Sequence, residues 1–545
     1  MFKKMLLRKI AVLISTVLLT GLLTSCDKEI VNHSTYIPNN SSAVISVNTE
    51  QIFNDEIFNL ITNTDLLEGM KKGPLSGLIT DPADAGLVRF ARYYFFAAGE
   101  NIIESRLGVI LPLTDDDKLF NYIETNYKVT ITENSVYKVA EISNNHVIVW
   151  DEKTAIYIYG QLGGDLVESA ISYFSQDQKN SLEQNEQNFS IALKDQSHIV
   201  AWFKNDVFLN NVEKGLAATF RSQFSLLKTL KINQDQLKDG KSIFSLNFDD
   251  GKITIDSKQY KNQQQLAKYK EIEKPNGITP LINIAGSDAP IVALSVSLKQ
   301  EGLLEVMETY NLDVAFAKVL TSLNVPFQVK LDFITRFFEG DMVLFVNKFE
   351  EIKKNKMVQK LSIEGEQEQV VEEVIVKVPQ VTAGITLKNE QQFRGFLKMA
   401  AGRLAQVDGV YNFNNQLYFT VKNGVLYFTN TPNGVAVIKN ITGKLTPLLS
   451  EMFTQNRLSM HLDLKKGFDF ISQAIPLGSE ACKIVSDKLN DINILQKGID
   501  KQDVVIGKAV INFTAKEYSL ISSIKLARDF FKSLEPMITN SINEY

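Results

Sequence analysis

The apolar positions fall into short strand-like runs separated by amphipathic helical stretches and by turns rich in Asp, Asn and Gly. After a turn at Pro38-Asn39-Asn40-Ser41-Ser42, Ala43 to Val47 reads as a buried strand. Glu50 to Ile61 follows as a helix, with Ile52, Phe53, Ile57, Leu60 and Ile61 on one face. Arg89 to Ala98 and Arg106 to Leu113 read as strands. Thr114-Asp115-Asp116-Asp117 then caps a helix carrying Leu119, Phe120 and Ile123. Val147 to Tyr159 is a hairpin turning at Asp151-Glu152-Lys153, followed by a helix near 164–174 and a polar stretch at 175–188. Ile199 to Phe203 is a strand, and Phe244 to Ile255 a hairpin turning at Asp249-Asp250-Gly251.

The order then starts again. Pro290 to Leu298 and a helix at 300–310 parallel 43–61, and Met342 to Val346 is a strand. Ala383 to Leu387 and a helix with Phe393, Phe396 and Leu397 parallel 106–125. Val410-Tyr411 and the hairpin Leu417 to Phe428, turning at Lys422-Asn423-Gly424, parallel Val136-Tyr137 and 147–159. Leu458 to Leu464 parallels 199–203, and Lys508 to Ile524 parallels 241–257. This recurrence predicts an internal duplication and an α+β fold of two tandem similar modules, each a mainly antiparallel sheet covered by helices. The predicted division is a signal peptide at 1–25, a tether at 26–35, a first module at 36–262, a linker at 263–285, a second module at 286–530 and a tail at 531–545. Residues 350–379 have no counterpart and read as an inserted charged hairpin, either a partner-binding arm or a solvated edge.

The first residues change the picture most. Lys3, Lys4, Arg8 and Lys9 form a basic start, Ile10 to Leu23 an apolar run too short to span a bilayer comfortably, and Leu23-Thr24-Ser25-Cys26 follows. That tetrapeptide is similar to the bacterial lipoprotein box, which implies diacylglyceryl transfer to the Cys26 thiol, cleavage before Cys26 and acylation of the new amine, palmitate being among the acyl groups expected. Two or three acyl chains anchor stably where one does not. Asp27-Lys28-Glu29 reads either as a surface-export signal or as a solvated tether.

Charge and cysteine content narrow the function classes. Lys and Arg number 58 against 63 Asp and Glu, a net charge of -5 that becomes -9 on loss of the four basic residues of the leader. No basic excess supports nucleic-acid binding. With Cys482 the only cysteine besides Cys26, no intramolecular disulfide is expected once Cys26 is lipidated, and no cofactor is expected. No other stretch reaches 18 uninterrupted apolar residues, so no transmembrane helix is expected.

Catalytic patterns are sparse. The chain has no Gly-x-Ser-x-Gly, no Gly-x-x-x-x-Gly-Lys-Ser/Thr and no Gly-x-Gly-x-x-Gly. His33 falls in the tether, and His146, His198 and His461 at or in strands, where a structural role fits better than a base. His198 and His461 take corresponding places in the two halves. Asp115-Asp116-Asp117 suits a helix cap better than a calcium loop, which needs spaced ligands, a glycine and a distal Glu. Trp150 and Trp202 lie in apolar strand contexts that favour core packing over sugar stacking.

Several features together resemble a family of uncharacterised Bacteroidota lipoproteins of unknown domain function. They are Cys26, the Ile37-Pro38-x-x-Ser41-x-x-Val44-x-Ser46-Val47 opening, Asp81-Pro82 before an aromatic strand, and Gly108-Val109-Ile110 before an Asp-led helix. The resemblance implies an exported, membrane-anchored α+β protein and supplies no catalytic residues. The expectation is a non-enzymatic, lipid-anchored protein of the outer membrane, on its periplasmic or surface face, that binds an envelope or surface protein partner or a ligand. An envelope hydrolase with an unrecognised site and a structural spacer are the alternatives.

Overall fold

Turn chemistry fixes most connections between neighbouring strands. In the computed structural model, which describes residues 31–52, 83–88, 90–99, 105–160, 165–176, 178–207, 238–274, 281, 289–302, 304, 336–361, 367–400, 405–413, 417–441, 445–474 and 479–529, Asn423 and Gly424 both take positive φ (+53° and +73°), the combination a two-residue hairpin turn requires. The strands are β1 (Ser41–Asn48), β2 (Arg92–Ala98), β3 (Arg106–Pro112), β4 (Ile131–Asn134), β5 (Tyr137–Ser143), β6 (His146–Trp150), β7 (Thr154–Gly160), β8 (Ile199–Lys204), β9 (Lys241–Asp249) and β10 (Lys252–Tyr260). There follow β11 (Val292–Leu298), β12 (Phe338–Leu361), β13 (Gln367–Leu387), β14 (Ala405–Val407), β15 (Val410–Phe413), β16 (Leu417–Lys422), β17 (Val425–Thr429), β18 (Leu458–Asp463), β19 (Leu489–Ile499) and β20 (Val505–Phe513).

The chain divides into two compact units, Met1–Lys228 with Ile232–Leu266 and Ile499–Tyr545, and Thr229–Lys231 with Ala267–Gly498. In the first, pairing runs β4-β5-β6-β7-β3-β2-β1-β8-β9-β10-β20, antiparallel throughout. In the second it runs β14-β15-β16-β17-β13-β12-β11-β18-β19, again antiparallel.

The expected fold class is corrected by this arrangement. Two tandem modules, each with its own sheet under helices, do not form: the twenty described strands belong to one antiparallel sheet. The described helices do not form a cover over two modules; they pack locally, as Leu166–Ser175 does on β5, β6 and β7. Nor is the chain order tandem. Strand β20, expected to close the second module, pairs with β10 from Lys252↔Asn512 to Gln259↔Val505. The physical reason is that periodicity reports which face of a strand is buried, not which free edge satisfies its N–H and C=O groups.

Other expectations fare variously. The helix expected at 50–61 is described only over Thr49–Ile52, and that at 300–310 lies mostly outside the described residues. The polar stretch 175–188 holds short helical turns, Gln178–Asn180 and Leu182–Asn185, followed by a helix at Gln187–Leu193. Residues 350–379 do pair as a hairpin, but one continuous with the sheet strands on either side, the ladder running to Leu361↔Gln367.

The first unit's core explains why its central strands hold together. Tyr94, Phe96, Ile110, Ile156, Ile158 and Trp202 meet Leu166, Tyr173 and Phe174 of the covering helix in one buried cluster. Tyr93 and Phe95, pointing to the opposite face, are buried as well, so β2 is covered on both sides. Phe96 lies directly across from Gly108 in the β2–β3 register and meets Tyr173 edge to face, ring centroids 5.6 Å apart. A Cβ at Gly108 would sit 2.0 Å from the Phe96 ring, so only glycine admits the ring there. Gly108→Ala is therefore expected to destabilise the protein by about 1–3 kcal/mol, the usual cost of overpacking a filled core. Urea denaturation checks this, and Phe96→Leu in the same chain should recover part of the loss, because the two sites are coupled by direct contact.

Candidate functional site

A groove of about 660 Å³ opens in the first unit between the β4–β6 strands and the helix Leu166–Ser175. The helix begins where it does because Asp165 caps it: its Oδ1 accepts the Glu168 N–H at 2.8 Å, and Ser169 Oγ donates to its carbonyl at 2.7 Å. The groove floor is apolar, with Val147, Leu166 and Ile171. Its rim carries Glu141, Asp165 and Glu168 with Asn134 and Asn144, and among the described residues no Lys or Arg lines it. Such a rim repels phosphate and carboxylate ligands and suits ammonium, guanidinium, hydroxyl or amide donors. Asp165 is committed to capping, and Glu141 and Glu168 are the other carboxylates of the rim among the described residues.

The acidic triplet does what its position in the sequence suggests. Asp115 Oδ1 accepts the Lys118 N–H at 3.0 Å at the start of the helix Asp116–Tyr127. The three carboxylates lie within 4.8 Å of one another. Lys138 Nζ bridges Asp116 Oδ2 at 2.8 Å and Asp117 Oδ1 at 3.3 Å, and lies 5.6 Å from the Phe120 ring centroid. The hydrogen bond to Asp116 holds the Lys138 ammonium above its ordinary value against partial burial. The cluster already contains its cation, a side chain of the same unit.

The histidines sit in structural settings. His146 Nδ1 meets the Tyr157 hydroxyl, and its ring lies 4.8 Å from that of Tyr159. His461 Nδ1 pairs with Asn493 Oδ1 at 2.8 Å across the β18–β19 register. His198 Nδ1 makes the corresponding approach to Asn247 Oδ1 at 3.2 Å and also receives the Phe248 N–H at 3.2 Å, while Nε2 faces the Tyr518 hydroxyl at 3.1 Å. From Asn247 the network continues: Nδ2 donates to Ser197 Oγ at 3.1 Å, Ser197 Oγ donates to Asp195 Oδ1 at 2.6 Å, and Ser245 Oγ donates to Asp195 Oδ2 at 2.5 Å.

These residue types invite comparison with a Ser/His/Asp relay, but the order is wrong for one. The serine hydroxyl is spent on the aspartate, and both imidazole nitrogens are engaged elsewhere, so His198 is not placed to take the serine proton. Burial pushes the Asp195 carboxyl up, yet the Ser197 and Ser245 hydroxyls, the Ser197 N–H and Lys258 outweigh it and hold the group below the usual carboxylate range. Sequence reasoning singled out His198 and missed Asp195, Ser197, Ser245, Asn247 and Tyr518. The one local signal was Asp195-Gln196-Ser197, in which Asp195 accepts the Ser197 N–H at 2.9 Å.

Trp150 and Trp202 are 0% and 1% exposed, so neither offers a stacking platform for a sugar. Cys26 lies outside the described residues. The last residues of the stretch read as a tether are docked on the first unit. Asn32 Nδ2 donates to Glu183 Oε2 at 3.1 Å, Ser34 Oγ to the same oxygen at 2.5 Å, and the Leu182 N–H to the Ile37 carbonyl at 3.0 Å. Cys482 is a free, half-buried thiol. No helix among the described residues is long and apolar enough to cross a membrane.

The family model described as Domain of unknown function (DUF4836) matches residues 33–451, well over half of the sequence, and the chain belongs to that family. The match begins at the docked segment. No curated protein matches the chain. Among solved structures, crystal form III of TP0453 is similar at 10% identity and a TM-score of 0.29, covering 46% of this chain and 90% of that one. Crystal form I of the same protein is similar at 12% identity and a TM-score of 0.27, covering 44% and 81%.

Burial holds His198 below its ordinary value, and His33 likewise. The unfolded chain therefore binds more protons than the folded one as pH falls through about 6.5, and stability must fall with it. Denaturation midpoints are expected to drop between pH 7 and pH 5, and His198→Gln should flatten that drop. Asp195 acts with the same sign but only below about pH 4, outside this window.

Proposed function

We propose that this member of the DUF4836 family is a lipid-anchored outer-membrane protein that binds an envelope partner rather than transforming a substrate. Acylated Cys26 is the anchor, and the groove between β4–β6 and the helix Leu166–Ser175 is the binding site. The observation that carries the reading is the spacing of anchor and body: a lipoprotein-type box ends at Cys26, and six residues later Asn32 is hydrogen-bonded to Glu183 of the first unit. The acidic rim over an apolar floor favours a basic or hydroxyl-rich segment of a protein partner, held by Glu141 and Glu168.

Metabolic labelling with an alkynyl palmitate tests the anchor. The wild-type chain and Cys482→Ser are expected to take up label and to sediment with membranes, and Cys26→Ser to lose both. Label retained by Cys26→Ser, or none on the wild type, would overturn the anchor. A photocrosslinking residue at Asn144, at the groove mouth, is expected to give a discrete adduct in intact cells that is reduced at least several-fold by Glu141→Lys with Glu168→Lys. No adduct, or one indifferent to that charge reversal, would overturn the groove assignment.

A further inference from the structure

The short stretch between Cys26 and the body bounds how far the first unit can stand from the bilayer. Five residues, Asp27 to Val31, separate Cys26 from Asn32. Even fully extended, the six Cα steps from Cys26 to Asn32 span about 20 Å, at 3.3–3.6 Å per residue. The membrane must therefore lie within that distance of Asn32.

The position of the docked segment on the sheet follows from its contacts. The His33 ring lies beside the Lys153 backbone and the Asp151 carboxylate, and Tyr36 beside Asp151, Thr154 and Tyr137. The segment thus starts at the β6–β7 turn. Register carries that end across the unit: Thr154 pairs with Pro112, the β2–β3 ladder brings Arg92 to the same side, and Arg92 pairs with Asn48. The turn from β4 to β5 is there too, because Tyr137 pairs with Asn134 and Lys138 with Trp150. Tyr137 meets Phe174 at 4.9 Å and Phe174 meets Tyr36 at 5.3 Å, which ties this turn to the docked segment.

A second observation stands apart from the leash. Among the described residues of the first unit, three large apolar side chains are exposed: Phe90 at 38%, Val136 at 74% and Ile191 at 40%. All three map to this end. Val136 is at the tip of the β4–β5 turn, a position where turn chemistry favours a polar residue. Phe90 immediately precedes the Ala91 and Arg92 start of β2, where the Ala91 carbonyl receives the Thr49 N–H. Ile191 is two residues before Leu193, whose carbonyl accepts from Arg92 Nη1 at 2.8 Å. Apolar side chains gathered at one end of a sheet, beside the point where a short lipidated leash joins, fit a lipid surface.

We infer that this end of the first unit, with Val136, Phe90 and Ile191 at its tip, is apposed to the bilayer and touches it. The inference rests on the acylation of Cys26 proposed above. Its test uses the full-length lipidated chain with Cys482→Ser, in which Cys26 is blocked, so that a single introduced cysteine carries an environment-sensitive fluorophore. Val136→Cys and Asn144→Cys place the label just beyond opposite ends of β5, a strand about 20 Å long at 3.3 Å per residue. The protein is reconstituted into phosphatidylethanolamine–phosphatidylglycerol vesicles containing doxyl-labelled lipid. Flotation with the vesicles reads the anchor; quenching reads the orientation. The expected result is flotation of both variants, with quenching at 136 at least threefold that at 144 and reduced when Phe90 and Ile191 are replaced by Ser. Flotation with equal quenching, or stronger quenching at 144, would overturn the orientation and leave the anchor standing. Failure to float would overturn both.

Discussion

The central ladder of the first unit depends on one strand being buried on both faces. With Tyr93 and Phe95 on one side and Tyr94 and Phe96 on the other, β2 has no solvated face. Its two neighbours must then be held in fixed register, because a slip of one residue would exchange every aromatic ring between two different cores. The β1–β2 and β2–β3 ladders supply that register, and the glycine opposite Phe96 makes it unique: moved one position, the ring would meet a side chain. What lies outward depends on this centre. The helix Leu166–Ser175 seats Tyr173 and Phe174 on the same aromatic cluster, and the docked segment seats Tyr36 on Phe174. The groove wall and the seat of the docked segment are thus built on one packed centre.

What was legible in the sequence shares a physical character: it was local. The Asp115 cap, the Asp249-Asp250-Gly251 and Asn423-Gly424 turns and the burial of both tryptophans each follow from chemistry within a few residues. What was not legible was non-local. Nothing within Val505–Phe513 names β10 as its partner, and a Val-rich run at 374–378 beside Glu-rich sequence reads equally as an insertion or as the far part of a long strand. The expected modules failed for that reason. Strand propensity and alternation were read correctly for most elements, but the edge that each strand completes is settled by burial and backbone satisfaction over the whole chain.

The candidate site divides along the same line. Cys26, which lies outside the described residues, is read from a four-residue context alone, whereas the groove draws Glu141 from a strand and Glu168 from a helix, 27 positions apart, with only a single cap motif to mark either. The His198 network shows the converse hazard. Its residue types match a catalytic set, and only the partner that each group takes shows that the serine serves the aspartate while the imidazole meets Asn247 and Tyr518. Half-buried polar chains of this kind tie one strand to the next, and the buried His461–Asn493 pair holds β18 to β19 in the same way.

Leash and groove are then linked through β5. Asn134 and Asn144, which mark the two ends of the groove rim, flank the two ends of that strand. If the β4–β5 turn faces the bilayer, the groove runs away from the membrane surface along β5, with Glu141 toward its distal end. A ligand rising from the membrane plane would enter past Asn134, and one arriving from the aqueous side past Asn144. With Cys26 acylated, the six steps to Asn32 would bound how far the groove can stand from the membrane, and so which of these two approaches the acidic rim offers.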